Sequence, residues 1–202
     1  MEGKMAITDF ARDGAHEKRS VALSSVLAAV GLTLFKIIVG LTTGSLGILA
    51  EAAHSGLDLM AAVMTLLAVR FSGKPADRTH LYGHGKVENL SALFETLLLL
   101  FTCFWIIYEA THRLLYHDVA LKVTFWSFAV MIISIVVDLS RSRALSRAAK
   151  RYNSQALEAD ALHFSTDIWS SGVVILGLVL VKVSNWVPGL ALFHQADSVA
   201  AI

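Results

Sequence analysis

Five stretches of the chain are apolar over about the length that crosses a lipid bilayer, at roughly residues 21–40, 46–71, 90–108, 123–139 and 156–183. The hydrocarbon core is about 30 Å thick, and a helix of about 20 residues spans it. Of the 202 residues 55% are hydrophobic and 16% charged, against about 25% charged in soluble domains. Too little polar surface remains to cover five such runs in water. Inside lipid the backbone must satisfy its own hydrogen bonds, and long unbroken apolar runs do so as helices. The expected fold is an all-α polytopic membrane protein. A further apolar run starts near Ala196 and stops at Ile202. Residues 1–19 are polar and of mixed charge, without the apolar core of a cleaved leader. They are expected to form a cytoplasmic arm or a short interfacial helix, with 20–202 as the transmembrane domain.

Charge placement orients the spans. Lys4, Arg12, Lys18 and Arg19 precede the first, and Arg70, Lys74, Arg78 and Lys86 lie between the second and third. Arg141, Arg143, Arg147, Lys150 and Arg151 lie between the fourth and fifth, whereas the other side has Arg113, Lys122 and Lys182. Basic loops stay inside, so the N-terminus is expected in the cytoplasm. In a soluble protein the basic run after Asp138 would suggest nucleic acid. Between two spans it marks topology and a contact for anionic lipid, and no nucleic-acid partner is expected. Cys103 lies within the third apolar run, where a buried thiol is expected to be inert.

An internal repeat carries the chemistry. Residues 45–58 read SLGILAEAAHSGLD and residues 154–167 read SQALEADALHFSTD. Both fit Ser-x4-Ala-acid-Ala-x-His-x3-Asp, so that Ser45 matches Ser154, Glu51 matches Asp160, His54 matches His163 and Asp58 matches Asp167. The second and fifth spans run in opposite directions, and inverted repeats mark transporters whose site lies near the midplane. At roughly 1.5 Å per residue, each His–Asp pair lies about 15 Å deep, the middle of the membrane.

Within each copy the His and Asp are four residues apart and share a helix face. Together the faces offer two imidazole nitrogens and two carboxylate oxygens, a tetrahedral set that suits zinc. An ionisable group at that depth costs at least about 2.5–3.5 kcal/mol unless paired or hydrated, and a divalent cation offsets the two carboxylates. The competing reading is a hydrogen-bonded cluster that joins two helices without a metal. Glu51 and Asp160 precede each His by one turn, placed to orient the ligands or relay protons, or simply to line a cavity.

Between the second and third runs the chain reads KPADRTHLYGHGKVENL. Asp77, His80 and His84 could meet at a second, surface metal, with Tyr82–Gly85 forming a turn. The alternative is a solvated loop with incidental histidines. His112, His117 and His194 are scattered, and no role is assigned to them.

The segments SLGILAEAAHSGLD, PADRTHLYGHGKVE and ALEADALHFSTD each resemble the signatures of the cation diffusion facilitator family, and the likeness extends over nearly the whole chain. The resemblance implies a six-helix membrane bundle, usually a homodimer, followed by a cytoplasmic metal-binding domain. On that pattern the sixth helix is cut short here and the cytoplasmic domain is absent. It implies export of Zn²⁺ and related ions in exchange for protons, in the inner membrane of a bacterium. The transport ligands carry over to His54, Asp58, His163 and Asp167, and the loop site to Asp77, His80 and His84. Several bacterial members have Asp where this chain has His54, which leaves Cd²⁺, Co²⁺, Fe²⁺ and Mn²⁺ as alternatives to zinc.

The expected mechanism is alternating access without a nucleotide, since no Walker-type loop is present. Two other classes compete: an intramembrane metal-dependent enzyme and a metal sensor. An enzyme needs an open coordination position and a general base. The sequence has no His-Glu-x-x-His motif, and a four-ligand set leaves little room for water, so no enzymatic activity is expected.

Overall fold

The computed structural model describes residues 2–116 and 125–184. They form five α-helices: α1 Glu2–Thr43, α2 Leu46–Ser72, α3 Lys86–Tyr116, α4 Phe125–Tyr152 and α5 Gln155–Ser184. The described part of each of the five apolar runs lies on one of them, and no strand occurs among the described residues. The expected start of a sixth helix near Ala196 lies outside those residues.

Among the described residues, three segments are long and apolar enough to cross a membrane by length and composition: Gly14–Thr43, Ile48–Ser72 and Lys86–Trp105. Asp138, Arg141, Arg143, Arg147, Lys150 and Arg151 lie on α4, and Glu158, Asp160 and Asp167 on α5. The helices also outrun the apolar runs. α1 extends back through the segment expected to be an arm, and α4 continues through the basic segment to Tyr152. Hydropathy marks the part of a helix that matches lipid. Lys, Arg, Glu and Ala are strong helix formers, so the backbone has no reason to stop there.

The helices close a ring: α1 packs on α2, α2 on α3, α3 on α5, α5 on α4 and α4 on α1, while α2 and α5 also meet across the middle. The main core joins Ala22, Ala68, Val69, Leu145, Ala148, Ala149, Ala156, Leu157, Ala161 and Phe164. So many alanines let backbones approach closely, as in other membrane bundles. α3 turns Leu90, Leu93, Leu97, Phe101, Phe104 and Trp105 outward, a surface suited to lipid. Cys103 is exposed on this helix rather than buried. Its position in an apolar run locates it in the span without saying which face it occupies.

The repeat extends to backbone detail. Gly44 and Asn153 adopt positive φ of 63° and 48°, the left-handed conformation that commonly ends a helix. The next N–H, of Ser45 or Ser154, donates to the carbonyl five residues back, Gly40 at 3.2 Å or Ala149 at 3.1 Å. Each serine carbonyl then accepts the first hydrogen bond of the following helix, from Leu49 or Glu158, at 3.1 Å. The α1–α2 and α4–α5 hairpins therefore share one kind of turn. They differ at the serine hydroxyl. Ser45 Oγ accepts from the Ile48 N–H at 3.4 Å, an N-cap, whereas Ser154 donates its hydroxyl to Glu88 on α3.

Candidate metal centre

Where α2 and α5 meet, the two His–Asp faces converge. His163 is 2% exposed and Asp58 9%. His163 Nε2 lies 3.2 Å from Asp58 Oδ1 on the other helix and 3.5 Å from Asp167 Oδ2 one turn along its own. His54 Nε2 lies 3.9 Å from Asp58 Oδ1. His54, Asp58 and Asp167 each offer a ligand atom within 4.8 Å of the others. All four residues expected at the midplane are thus in one cluster. Ligand atoms about 2.1 Å from a tetrahedral zinc stand about 3.4 Å from one another. The separations of 3.2, 3.5 and 3.9 Å straddle that value, while the ligand atoms that all lie within 4.8 Å of one another are those of His54, Asp58 and Asp167. His54, at one-third side-chain exposure, is the most open member.

The two acids that precede the histidines part company. Glu51 is turned to α1, where its Oε2 accepts from Lys36 Nζ at 3.1 Å; Lys36 also donates to Ser55 Oγ at 2.7 Å. The lysine is 3% exposed while Glu51 is open on one side. Asp160 is fully buried. On α4, Asp138 Oδ1 accepts from Arg141 at 3.1 Å, and Arg141 also donates to Ser25 on α1 and covers the Phe164 ring, 3.6 Å from its centroid. The partner choices of Lys36 and Arg141 neutralise charge around the cluster without entering it.

The loop between α2 and α3 gathers its three residues as well. Asp77 Oδ1 accepts from the Thr79 N–H at 2.9 Å, the Thr79 hydroxyl at 2.8 Å and the His80 N–H at 2.6 Å. The Thr79 hydroxyl, then the His80 N–H, hold the Asp77 carboxyl well below the usual carboxylate range. His80 Nδ1 lies 3.2 Å from Asp77 Oδ1 and His84 Nε2 3.5 Å from Asp77 Oδ2, with the two imidazole rings 4.3 Å apart. Gly83, at φ 80°, makes the turn that brings His84 back. One ligand atom from each residue falls within a 4.8 Å set.

Sequence reasoning assigned no functional role to two acids on α3. Glu88 is 6% exposed and gathers three helices at one point: Oε1 accepts from Lys18 Nζ of α1 at 2.7 Å and from Ser72 Oγ of α2 at 2.6 Å, and Oε2 from Ser154. Glu95, 2% exposed, accepts from Thr65 of α2 and from Ser91 at 3.3 Å. The signal was there. Glu88 and Glu95 are seven residues apart, as are Thr65 and Ser72, which places each pair on one helix face.

Comparison with known proteins adds lineage to this geometry. The family model described as the cation efflux transmembrane domain matches residues 22–202. An uncharacterised transporter of Methanocaldococcus jannaschii is 36% identical over 167 residues, 81% of this chain and 59% of that protein. The cation-efflux pump FieF of Shewanella oneidensis is 32% identical over 163 residues, 81% of this chain and 55% of the pump. FieF of Pectobacterium carotovorum is 34% identical over 170 residues, 82% and 56% respectively. The chain spans somewhat over half the length of these relatives.

Proposed function

The chain belongs to the cation efflux family, and from that premise we propose that it exports a divalent metal ion, zinc foremost, in exchange for protons. His54, Asp58, His163 and Asp167 are the transport ligands in this reading. The observation that carries it is the convergence of two matched His–Asp pairs from α2 and α5, with one imidazole nitrogen between two carboxylates. Cytoplasmic metal enters between α2 and α5. Binding needs deprotonated ligands, so it displaces protons. The bundle then opens outward, external protons compete for the histidines, and the metal leaves.

Charge placement orients the chain with its N-terminus and both basic loops in the cytoplasm of a bacterial cell. The working unit is a homodimer. Asp77, His80 and His84 hold a second ion at the cytoplasmic surface. The names of the relatives favour transport over an enzyme. Uptake into sealed vesicles, measured ion by ion across an imposed pH gradient, tests the reading. Zinc uptake that follows the gradient supports it; uptake indifferent to the gradient, or none for any divalent ion, overturns it.

A further inference from the structure

We propose that Glu95 is a proton-accepting residue of the transport cycle, set in a polar seam that links the midplane His–Asp cluster to the cytoplasmic ends of α2, α3 and α5. The inference rests on the transport reading and adds a residue outside the repeat.

The seam is written at seven-residue spacing. Asp58, Thr65 and Ser72 succeed one another on α2, and Glu88 and Glu95 on α3. α5 completes it with Ser154 at its start, Asp160 and His163. Thr65 and Asp160 are 0% exposed, and Ser154, Glu95 and Ser91 are 1%, 2% and 4% exposed. A polar line of this length between apolar helices is costly and marks an ion pathway by default.

The two α3 acids are treated differently within it. Glu88 is saturated by Lys18, Ser72 and Ser154, which seals the mouth of the seam in this structure. Glu95 is half satisfied. Its Oε1 takes the Thr65 and Ser91 hydroxyls, while its buried Oε2 meets no donor. From α5 the ionisable groups that face it are Asp160 and His163; from α2 the facing group is the Thr65 hydroxyl. Asp160, buried on α5, has Arg141 of α4 and the Ser25 hydroxyl of α1 beside it. Neither acid joins a group of three metal-binding side chains, as the loop and midplane residues do. A buried carboxylate oxygen without a protein donor, seven residues along from the Glu88 contacts, has the chemistry of a proton station. Protons displaced from the midplane pass to Glu95 and leave when the Glu88 contacts part.

The test uses the full chain with three readouts: zinc binding in detergent, protons released on binding, and gradient-driven zinc uptake in vesicles. Glu95→Gln keeps the shape and both hydroxyl contacts but cannot accept a proton. It is expected to retain parental zinc affinity and stoichiometry and to release about one proton more per zinc, the proton that the parent keeps on Glu95. Gradient-driven uptake should fall at least about 100-fold, the low end of what a positioned proton-transfer group contributes. Glu95→Asp, which restores a carboxyl, should recover much of it. Parental proton release and uptake in Glu95→Gln would overturn the proposal, and so would a loss of zinc stoichiometry, which would make Glu95 a metal ligand. If the amide variant does not fold, Thr65→Val removes one hydroxyl donor and should shift the pH profile of uptake; an unshifted profile overturns the proposal. His163→Ala separates the two readings. It should lose both zinc binding and uptake, and if it kept them the transport site itself would be misassigned, whatever Glu95 does.

Discussion

His163 on α5 and Asp58 on α2 stand 3.2 Å apart, Nε2 to Oδ1, and this contact joins the two halves of the repeat. Neither residue can be removed without stranding the other: the imidazole would lose its cross-helix acceptor, and the carboxylate its cross-helix donor. Loss of an outer partner of a metal ligand costs 10–100-fold in affinity, so loss of a ligand should cost at least about 100-fold. Asp58→Asn and His163→Ala should each lose zinc binding by that margin, measured by competition with a chelating dye, and should lose vesicle uptake. Parental affinity in either variant would remove that residue from the ligand set.

Selectivity should follow the ligand atoms. His54 supplies an imidazole nitrogen, which suits zinc, whereas all-oxygen sets suit manganese or magnesium. His54→Asp should lower zinc uptake relative to cadmium or manganese in a competition assay, and the His54→Asp, His163→Asp double variant should go further. The added charge in the membrane should reduce expression. An unchanged ratio in all three proteins would place selectivity outside the ligands.

Topology is open to labelling. Cys103 lies exposed on α3, so the experiment starts from a Cys103→Ser background. Cysteines placed at Thr79 and at Ser146 should resist an impermeant thiol reagent in intact cells and react after lysis. Reaction of either in sealed cells would reverse the orientation drawn from the basic loops.

The loop should keep its shape in acid. Asp77 has a folded pKa depressed below the ordinary value of about 3.9. The ordering it contributes is therefore complete above that value and lost only as the pH falls through the depressed one. Between pH 7 and about pH 5 the amide resonances of Thr79 and His80 should stay hydrogen-bonded to the carboxylate. Asp77→Asn should weaken that ordering at every pH. A loss of both amide signatures near pH 5 in the parent would contradict the hydrogen-bond pattern around Oδ1.

Much of this was legible in the sequence, and for physical reasons. Lipid imposes a length on each span, so the apolar runs located five helices. It also penalises every stray polar group, so His54, Asp58, His163 and Asp167 stood out against their surroundings. Helix ends were less visible: Glu2 to Arg19 and Arg141 to Tyr152 are helical yet hydrophilic, and no hydropathy rule separates a solvated helix from a loop. Partner choice was least visible. That Glu51 would turn to Lys36, and Ser154 to Glu88 instead of its own helix, depends on how helices rotate against each other.

The single left-handed residue that closes each hairpin has a mechanical consequence. With only Gly44 and Ser45 between α1 and α2, and only Asn153 and Ser154 between α4 and α5, neither pair of helices can slide far past its partner. Thr33 to the Ser55 carbonyl and Ser142 to the Ala161 carbonyl stitch each pair further along. Each hairpin is therefore a lever arm, and the freedom left in the bundle lies between the levers, along the line where Asp58 faces His163. Spin labels on α1 and α2 should report a constant distance through the cycle, while labels on α2 and α5 should report two.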